Sequence, residues 1–247
     1  WFAKFNRADR LDMFEAEAAG LGTIAATGTL RVPMPLCSGA DAGQAWLVLE
    51  YLPFTGRGDS AALGRGLAAM HRHVAPHPGW HRDNTIGATP QENGPYDDWL
   101  VFWRERRLLF QLRLAARNGI GRRCVEQGER LAADLAGFFP GYRPLASLLH
   151  GDLWGGNVGY LDGAPVIYDP AVYYGDREAD IAMTELFGGF DAGFQSAYRE
   201  AWPLDPGYAQ RRDLYNLYHV LNHYNLFGGG YGPQACRMVE RLLACLG

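Results

Sequence analysis

Long hydrophobic runs are missing from this sequence of 247 residues. No stretch approaches the roughly 18 consecutive apolar residues that a membrane-spanning helix needs, and the first residues do not have the pattern of a signal peptide. We therefore expect a cytoplasmic protein that has no membrane partner.

Cysteine is also scarce, and no Cys-x-x-Cys pair occurs. The four cysteines are widely scattered, at Cys37, Cys124, Cys236 and Cys245. Such spacing argues against both a zinc site and a disulfide framework. We expect four reduced thiols, as in a cytosolic protein.

An excess of basic charge is absent as well. The sequence has 23 Lys and Arg against 27 Asp and Glu, which gives a formal net charge of −4. Its densest basic clusters, 104–107 and 211–212, are short, and we interpret them as solvated helix faces. Nucleic acid is therefore not an expected partner. A content of 48% apolar and 20% charged residues is typical of a globular enzyme.

The most informative segment spans residues 150–170. Asp152 precedes Asn157 by five positions, and Asp169 follows twelve positions later. The spacing Asp-x-x-x-x-Asn matches the catalytic loop of protein-kinase-like phosphotransferases, in which the Asp orients a hydroxyl and the Asn holds Mg²⁺. The alternative is that these polar residues only cap turns.

A hairpin is predicted between Asn157 and Asp169. The pair Asp162-Gly163 lies between two apolar runs, which is the pattern of a type I′ turn with positive φ at both central residues. Such a hairpin brings Asp169 beside Asn157. Two oxygen ligands in this position suit Mg²⁺, which completes its coordination with phosphate oxygens and water.

The predicted elements divide the sequence into two unequal parts. Strands over 1–5 and 46–51 flank a helix over 12–27, and Pro33-Met34-Pro35 interrupts the chain between them. After a loop over 53–58, helices are predicted over 60–75, 96–117, 121–138, 178–200, 208–226 and 233–245. We predict an α+β, bilobal protein-kinase-like fold. A nucleotide-binding N-terminal lobe (1–52) precedes a mainly helical lobe (53–247) that carries the catalytic loop and the acceptor site.

Lys4 lies in the middle of the first predicted strand. In the kinase arrangement a strand lysine binds the ATP phosphates and a helix glutamate orients it. We choose Glu17 over Glu15 as that glutamate, because Glu17 flanks the inward helix face marked by Phe14, Ala18 and Leu21. The alternative is a surface lysine near two solvated glutamates.

The strand over 46–51 leads directly into the connector between the predicted lobes. By position, the Glu50 carbonyl and the Leu52 N–H are candidates to pair with the adenine edge of ATP. These contacts involve only the backbone, so side chains cannot distinguish them from an ordinary buried strand.

Two further residues are expected to have structural roles. His150 is expected to hold the loop backbone, and Asp180 to brace the catalytic loop from beneath, unless Asp180 only complements its helix dipole.

Several runs of this sequence resemble the fructosamine kinase (ketosamine-3-kinase) family, a branch of the aminoglycoside phosphotransferase-like kinases. The resemblance covers nearly the whole chain. HGDLWGGN over 150–157 is more specific than the generic kinase spacing, and Asp169-Pro170-Ala171 stands where protein kinases have Asp-Phe-Gly. The other runs are FAKFN, MFEAEAAGL, DNTIGATPQ, DWLVFWRERRL, YDPAVYYGDREADIAMTELFGGF and LNHYNLFGGGY.

The resemblance implies an ATP-dependent kinase that phosphorylates the 3-hydroxyl of ketosamines and so leads to deglycation. Its substrates are fructosamine or ribulosamine adducts, either small molecules or glycated protein lysines. The resemblance makes Asp152 the catalytic base, Asn157 and Asp169 the Mg²⁺ ligands, and Lys4 with Glu17 the phosphate-binding pair. The family's Gly-rich loop precedes this lysine. We interpret the given chain, which begins at Trp1, as lacking the first strands of its N-terminal lobe.

The acceptor is expected over the helical lobe, where aromatic faces and polar groups can bind a sugar. Candidate contacts are Trp154, Asp83, Asn84 and His223, unless the last three only cap or pack. Two other functions stay open. One is a small-molecule kinase of the aminoglycoside or choline type, although no dense acidic run is present. The other is a nucleotide-binding pseudokinase. We expect a monomer or weak dimer.

Overall fold

The computed structural model describes residues 1–246 and begins with a three-stranded antiparallel sheet. The strands are β1 (Phe2–Arg7), β2 (Pro35–Asp41) and β3 (Gln44–Leu49), in the order β1-β3-β2, and helix α1 (Leu11–Ala25) packs on the sheet. Ala45, Leu47 and Leu49 alternate along β3 and are buried. Lys4 lies opposite Leu47 in the register of β1 with β3, so the sheet sets where this lysine stands.

Strand β2 is not in the sequence prediction, which treated Pro33-Met34-Pro35 as a break. Pro35 instead begins the strand, where a residue without an N–H is tolerated, and the register shifts between Pro35 and Cys37. The other predicted elements of this region are confirmed with shifts of one to two residues at most of their ends.

Helices form most of the remaining chain, which confirms the α+β class. They are α2 (Ser60–His71), α3 (Trp99–Phe102), a π-helical segment (Trp103–Leu108), α4 (Leu109–Arg117), α5 (Arg122–Ala133), α6 (Glu178–Leu186), α7 (Ala192–Ala201), α8 (Tyr208–Phe227) and α9 (Tyr231–Ala244). Within residues 1–246, no helix combines the length and the apolar character needed to cross a bilayer.

The predicted single helix over 178–200 is wrong, because the chain forms two helices there. Gly188 and Gly189 between them have φ of 75° and 95°, which a continuing helix does not allow. Asp191 then caps α7 by accepting a hydrogen bond from the Phe194 N–H at 2.9 Å.

Short strands interrupt the helical part of the chain. The strands β4 (Val74–Ala75), β7 (Ala146–Leu149) and β10 (Tyr173–Gly175) form one sheet, and β5 (Asn84–Ile86) pairs with β6 (Thr89–Gln91). The predicted hairpin is confirmed as β8 (Val158–Leu161) and β9 (Ala164–Ile167). Its turn residues Asp162 and Gly163 have φ of 50° and 82°, as a type I′ turn requires.

Two arginines of the clusters interpreted as solvated are fully buried, so that interpretation is wrong for them. The Arg107 guanidinium lies 4.2 Å from the ring centre of Tyr173 and donates to Asn93 Oδ1 at 2.7 Å. Arg211 pairs with Glu178 Oε2 at 2.7 Å inside the core. A buried guanidinium is tolerated because aromatic faces and oxygen acceptors replace the water that it loses.

The expectation of four reduced thiols is also wrong. Cys124 on α5 and Cys236 on α9 form a disulfide with their Cα atoms 5.3 Å apart, while Cys37 and Cys245 are free and exposed. Helices α5 and α9 pack against each other although the two cysteines are 112 positions apart in the sequence. Spacing along the sequence does not show such a contact.

We expect this disulfide to stabilise the fold by about 2–4 kcal/mol, because it closes a long loop in the unfolded chain. Cys236→Ser should lower the free energy of unfolding in oxidising buffer by this amount, measured by urea denaturation. The control is Cys245→Ser, which removes an exposed free thiol and should leave stability unchanged. Equal stability of the unsubstituted protein with and without a reductant would contradict the prediction.

Candidate active site

The catalytic-loop segment 150–157 and the segment 168–172 meet beside the β8–β9 hairpin. The Ala171 N–H donates to the His150 carbonyl at 2.8 Å, and the Tyr168 N–H donates to the Asn157 carbonyl at 3.1 Å. A cavity of about 370 Å³ opens at this junction. Its wall contains five of the residues predicted from the sequence to act on ATP, Mg²⁺ or the acceptor hydroxyl: Lys4, Glu17, Asp152, Asn157 and Asp169.

Asp152 lies at the floor of this cavity. Burial, together with the nearby carboxylates of Asp180 and Asp169, raises the pKa of Asp152 to about 7. Asn157 Nδ2 donates to the Asp152 carbonyl at 2.9 Å and lies 3.5 Å from its Oδ2. A carboxyl group with this pKa can change protonation near neutral pH, which suits proton transfer.

Asp180 lies beneath the loop and fixes its backbone. Its carboxylate accepts hydrogen bonds from the His150 N–H at 2.7 Å and the Gly151 N–H at 2.9 Å. His71 Nε2 lies 3.2 Å from the same carboxylate, a partner that the sequence analysis missed. Burial alone would raise the pKa of Asp180, but its hydrogen bonds with His71 and the Gly151 N–H contribute to lowering it below its ordinary value.

His150 connects the two segments with both ring nitrogens. Nε2 lies 3.0 Å from the Tyr168 carbonyl, and Nδ1 lies 3.3 Å from the Asp152 N–H. Since a carbonyl only accepts and an N–H only donates, the ring is neutral with its proton on Nε2. Burial lowers the pKa of His150, which agrees with this form.

Lys4 stands between two carboxylates. Its Nζ donates to Glu17 Oε1 at 2.7 Å and to Asp169 Oδ1 at 2.5 Å. Burial alone would lower the pKa of Lys4, but these carboxylates raise it, so the side chain is a cation. Glu15 instead faces Arg82, 4.0 Å away, so only Glu17 of the two glutamates contacts Lys4.

The donor atoms at the cavity fit a magnesium ion completed by phosphate oxygens. The Asp169 carboxylate is 45% exposed. Asn157 Nδ2 donates to the Asp152 carbonyl, so Asn157 Oδ1 is the atom that can bind a cation. Burial raises the pKa of Asp152 most, and the carboxylates of Asp180 and Asp169 add to the effect, so a cation bound beside these carboxylates would offset their mutual repulsion. Within residues 1–246 no group of three or more His, Cys, Asp or Glu forms a metal cluster, and a site for nucleotide-bound Mg²⁺ does not need one.

A second cavity, of about 380 Å³, shares Lys4 and Asp169 with the first. Its other walls are mainly apolar: Phe2, Pro33, Leu49, Glu50, Tyr51, Leu52, Phe54 and Tyr168. The rings of Phe54 and Tyr168 stack with centres 5.3 Å apart. In residues 1–246 neither the Glu50 carbonyl nor the Leu52 N–H has a hydrogen-bond partner. The Glu50 carboxylate turns away, to Arg31 Nη2 at 2.5 Å.

The residues predicted to contact the acceptor are not brought together. Only Asn84 lines the first cavity, and its amide is used internally, donating to the Val172 carbonyl at 2.8 Å. Asp83 accepts from the Asn93 N–H at 2.7 Å. His223 Nδ1 donates to the His219 carbonyl at 2.8 Å, away from the cavity wall, and the 42% exposed Trp154 is outside that wall too.

Residues that the sequence analysis missed form the outer wall of the first cavity. They come from β1, α1 and the β5–β6 hairpin: Asn6, Met13, Thr85, Gly87 and Ala88. The runs FAKFN, MFEAEAAGL and DNTIGATPQ, which resemble the family, contain all five. The resemblance therefore included these residues, but their side chains did not indicate a role at the site.

Comparisons with known proteins agree over the whole chain. A family model described as fructosamine kinase matches residues 1–245. The probable ketoamine kinase of Synechocystis sp. is 49% identical, with 98% of this chain and 83% of that protein covered. The chloroplastic protein-ribulosamine 3-kinase of Arabidopsis thaliana is 44% identical, with 100% of this chain and 77% of that protein covered.

Solved structures give the fold. A crystal structure of a proposed fructosamine-3-kinase from Haemophilus somnus has a TM-score of 0.91 at 30% identity, covering 98% of this chain and 83% of that one. An ADP-bound aminoglycoside phosphotransferase has a TM-score of 0.61 at 12% identity, covering 98% and 86%, and shows the fold alone. The chain has this kinase-like fold and belongs to the fructosamine kinase family.

Proposed function

We propose that this protein transfers the γ-phosphoryl group of ATP to the 3-hydroxyl of ketosamines and thereby initiates deglycation. The observation that carries the proposal is the meeting of Asp152, Asn157, Asp169 and Lys4 at one cavity. Relatives named ketoamine kinase and protein-ribulosamine 3-kinase, 49% and 44% identical over nearly the full chain, support the acceptor class.

Asp152 is the proposed base. Its carboxylate would orient the sugar hydroxyl toward the γ-phosphate and accept its proton as the new bond forms. Lys4, oriented by Glu17, would hold the phosphate oxygens and stabilise the charge that develops on them. Bound through Asn157 and Asp169, Mg²⁺ would supply further neutralisation of the phosphate charge.

The second cavity is the proposed nucleotide-base site. Its apolar walls suit the faces of a flat purine, and the unpartnered Glu50 carbonyl and Leu52 N–H could pair with the adenine edge. Because this cavity shares Lys4 and Asp169 with the first, the triphosphate would pass from one cavity to the other. This arrangement supports a nucleotide-binding lobe over 1–52 and an acceptor-binding lobe over 53–247.

The acceptor is proposed to be a ketosamine on a small amine or on a protein lysine, and the working form a monomer or weak dimer. We propose the cytoplasm as the compartment. Because Cys124 and Cys236 form a disulfide, activity should be measured under both oxidising and reducing conditions.

The decisive experiment is mass spectrometry of a peptide that carries fructosyl-lysine or ribulosyl-lysine, incubated with the protein and Mg-ATP. We expect a gain of one phosphate on the sugar. The same peptide without the sugar is the control and should stay unmodified.

Two outcomes would contradict the proposal. Phosphorylation of aminoglycosides but of neither ketosamine would identify another small-molecule kinase. Binding of Mg-ATP without phosphorylation of any acceptor in the panel would favour a pseudokinase.

A further inference from the structure

Asp169 adopts a backbone conformation that residues with side chains seldom take. Its φ is +56°, in the left-handed region. Aspartate enters this region more readily than most residues, but it does so at an energetic cost that local contacts must offset. The contacts that hold the segment 168–172 therefore help to set the direction of the Asp169 carboxylate.

Three buried side chains bind backbone carbonyls on both sides of Asp169. His150 Nε2 lies 3.0 Å from the Tyr168 carbonyl, immediately before it. After it, Gln91 Nε2 donates to the Ala171 carbonyl at 3.1 Å, and Asn84 Nδ2 donates to the Val172 carbonyl at 2.8 Å. Asn84 and Gln91 are paired residues of the β5–β6 hairpin, so this hairpin holds the segment from one side.

Gln91 is the centre of this arrangement. Its Nε2 also donates to Asn84 Oδ1 at 2.8 Å, and its Oε1 accepts from the Tyr218 hydroxyl at 2.7 Å. The side chain is 1% exposed, and it lines neither of the two cavities. Because Tyr218 can donate to Oε1, the amide is oriented with both N–H groups toward Ala171 and Asn84.

We propose that Gln91 is a positioning residue that keeps the Asp169 carboxylate directed into the cavity by holding the Ala171 carbonyl. The inference rests on the proposed function, in which Asp169 binds the magnesium ion of Mg-ATP. Gln91 acts through the backbone and contacts neither metal nor nucleotide. Replacing Gln91 should therefore lower the affinity for ADP in the presence of Mg²⁺ and leave the affinity for ADP without Mg²⁺ unchanged.

The test is calorimetric titration of ADP into the full chain, once with Mg²⁺ and once with EDTA. For Gln91→Met we expect the affinity for Mg-ADP to fall about tenfold, since a buried carbonyl loses its donor. The affinity for ADP in EDTA should stay unchanged. A Gln91→Leu variant, which also lacks the amide donor and carries no charge, should behave in the same way if the Met variant does not fold.

Gln111→Met is the matched control. Gln111 is a fully buried glutamine that donates to Asn222 Oδ1 at 3.2 Å and accepts from Asn225 Nδ2 at 2.7 Å, with no hydrogen bond to 168–172. It also hydrogen-bonds Tyr218, but the Tyr218 hydroxyl can still donate to Gln91 Oε1 when Gln111 is replaced. The melting temperature of this variant should fall while the effect of Mg²⁺ on ADP affinity is retained. Two results for a Gln91 variant would overturn the proposal. One is a lower melting temperature with unchanged affinity for Mg-ADP, and the other is an equal fall in the affinities for ADP with Mg²⁺ and in EDTA.

Asp169→Asn in the same titration separates this inference from the proposed function. If Asp169→Asn keeps the full effect of Mg²⁺ on ADP affinity, the metal role of Asp169 is wrong, and the positioning role falls with it. If Asp169→Asn loses the effect and the Gln91 variants keep it, only the positioning role is overturned.

Discussion

Asp152→Asn is expected to lower kcat about a thousandfold with a ketosamine acceptor, within the range of removing a general base. The amide has the size of the carboxyl group but cannot accept the hydroxyl proton. Asp152 does not line the nucleotide-base cavity, so the affinity for Mg-ADP should change little. Steady-state ADP release with fructosyl-lysine, combined with calorimetry, measures both quantities.

The control for this substitution is Asp97→Asn. The Asp97 side chain is 99% exposed, and the variant should keep full activity. An Asp152→Asn protein that retains more than about a tenth of the original kcat would refute the base role, because a proton acceptor contributes at least about a hundredfold.

The same role fixes the direction of the pH dependence. The pKa of Asp152 is raised to about 7 by burial and by the carboxylates of Asp180 and Asp169, and only the deprotonated form can act as a base. In the free enzyme, kcat/KM for Mg-ATP should therefore rise with pH up to about 7 and level off above it. A flat profile between about pH 5 and pH 8 would show that protonation of Asp152 does not limit the reaction.

The centre of the site could be predicted from the sequence because consecutive residues carry it. Asp152, Asn157 and the Asp162-Gly163 turn lie within a dozen positions, so turn chemistry alone brings Asp169 back to Asn157. The place of Lys4 could be predicted as well. In a kinase-like fold, a lysine on a strand that precedes a helix with a glutamate is expected to bind the ATP phosphates.

The outer wall could not be predicted, since tertiary packing assembles it from separate elements. Thr85, Gly87 and Ala88 have small or weakly polar side chains that indicate no particular chemistry. Asn84 could be predicted as a polar residue near the site, but not that its amide donates to the Val172 carbonyl. The His71–Asp180 contact and the Cys124–Cys236 disulfide likewise join residues more than a hundred positions apart.

Lys4→Met is expected to lower kcat/KM for ATP about a hundredfold to a thousandfold, the usual effect of removing one preorganised group that stabilises developing charge. The substitution leaves Glu17 and Asp169 without their shared cation, so their charges would then repel the phosphates. Steady-state kinetics at varied Mg-ATP measures the loss. Retention of more than about a tenth of kcat/KM would refute the phosphate role.

Two further measurements separate this role from a structural one. Glu17→Gln should reproduce part of the loss, whereas Glu15→Gln should not, because Glu15 faces Arg82 and not Lys4.

Lys4 is also the only lysine in the sequence, so an amine-acylating reagent reports on its ε-amino group without competing lysines. Mg-ATP should protect Lys4 from acylation, since phosphate oxygens would then occupy its Nζ. Acylation at an unchanged rate under saturating Mg-ATP would place the phosphates away from Lys4 and refute the arrangement.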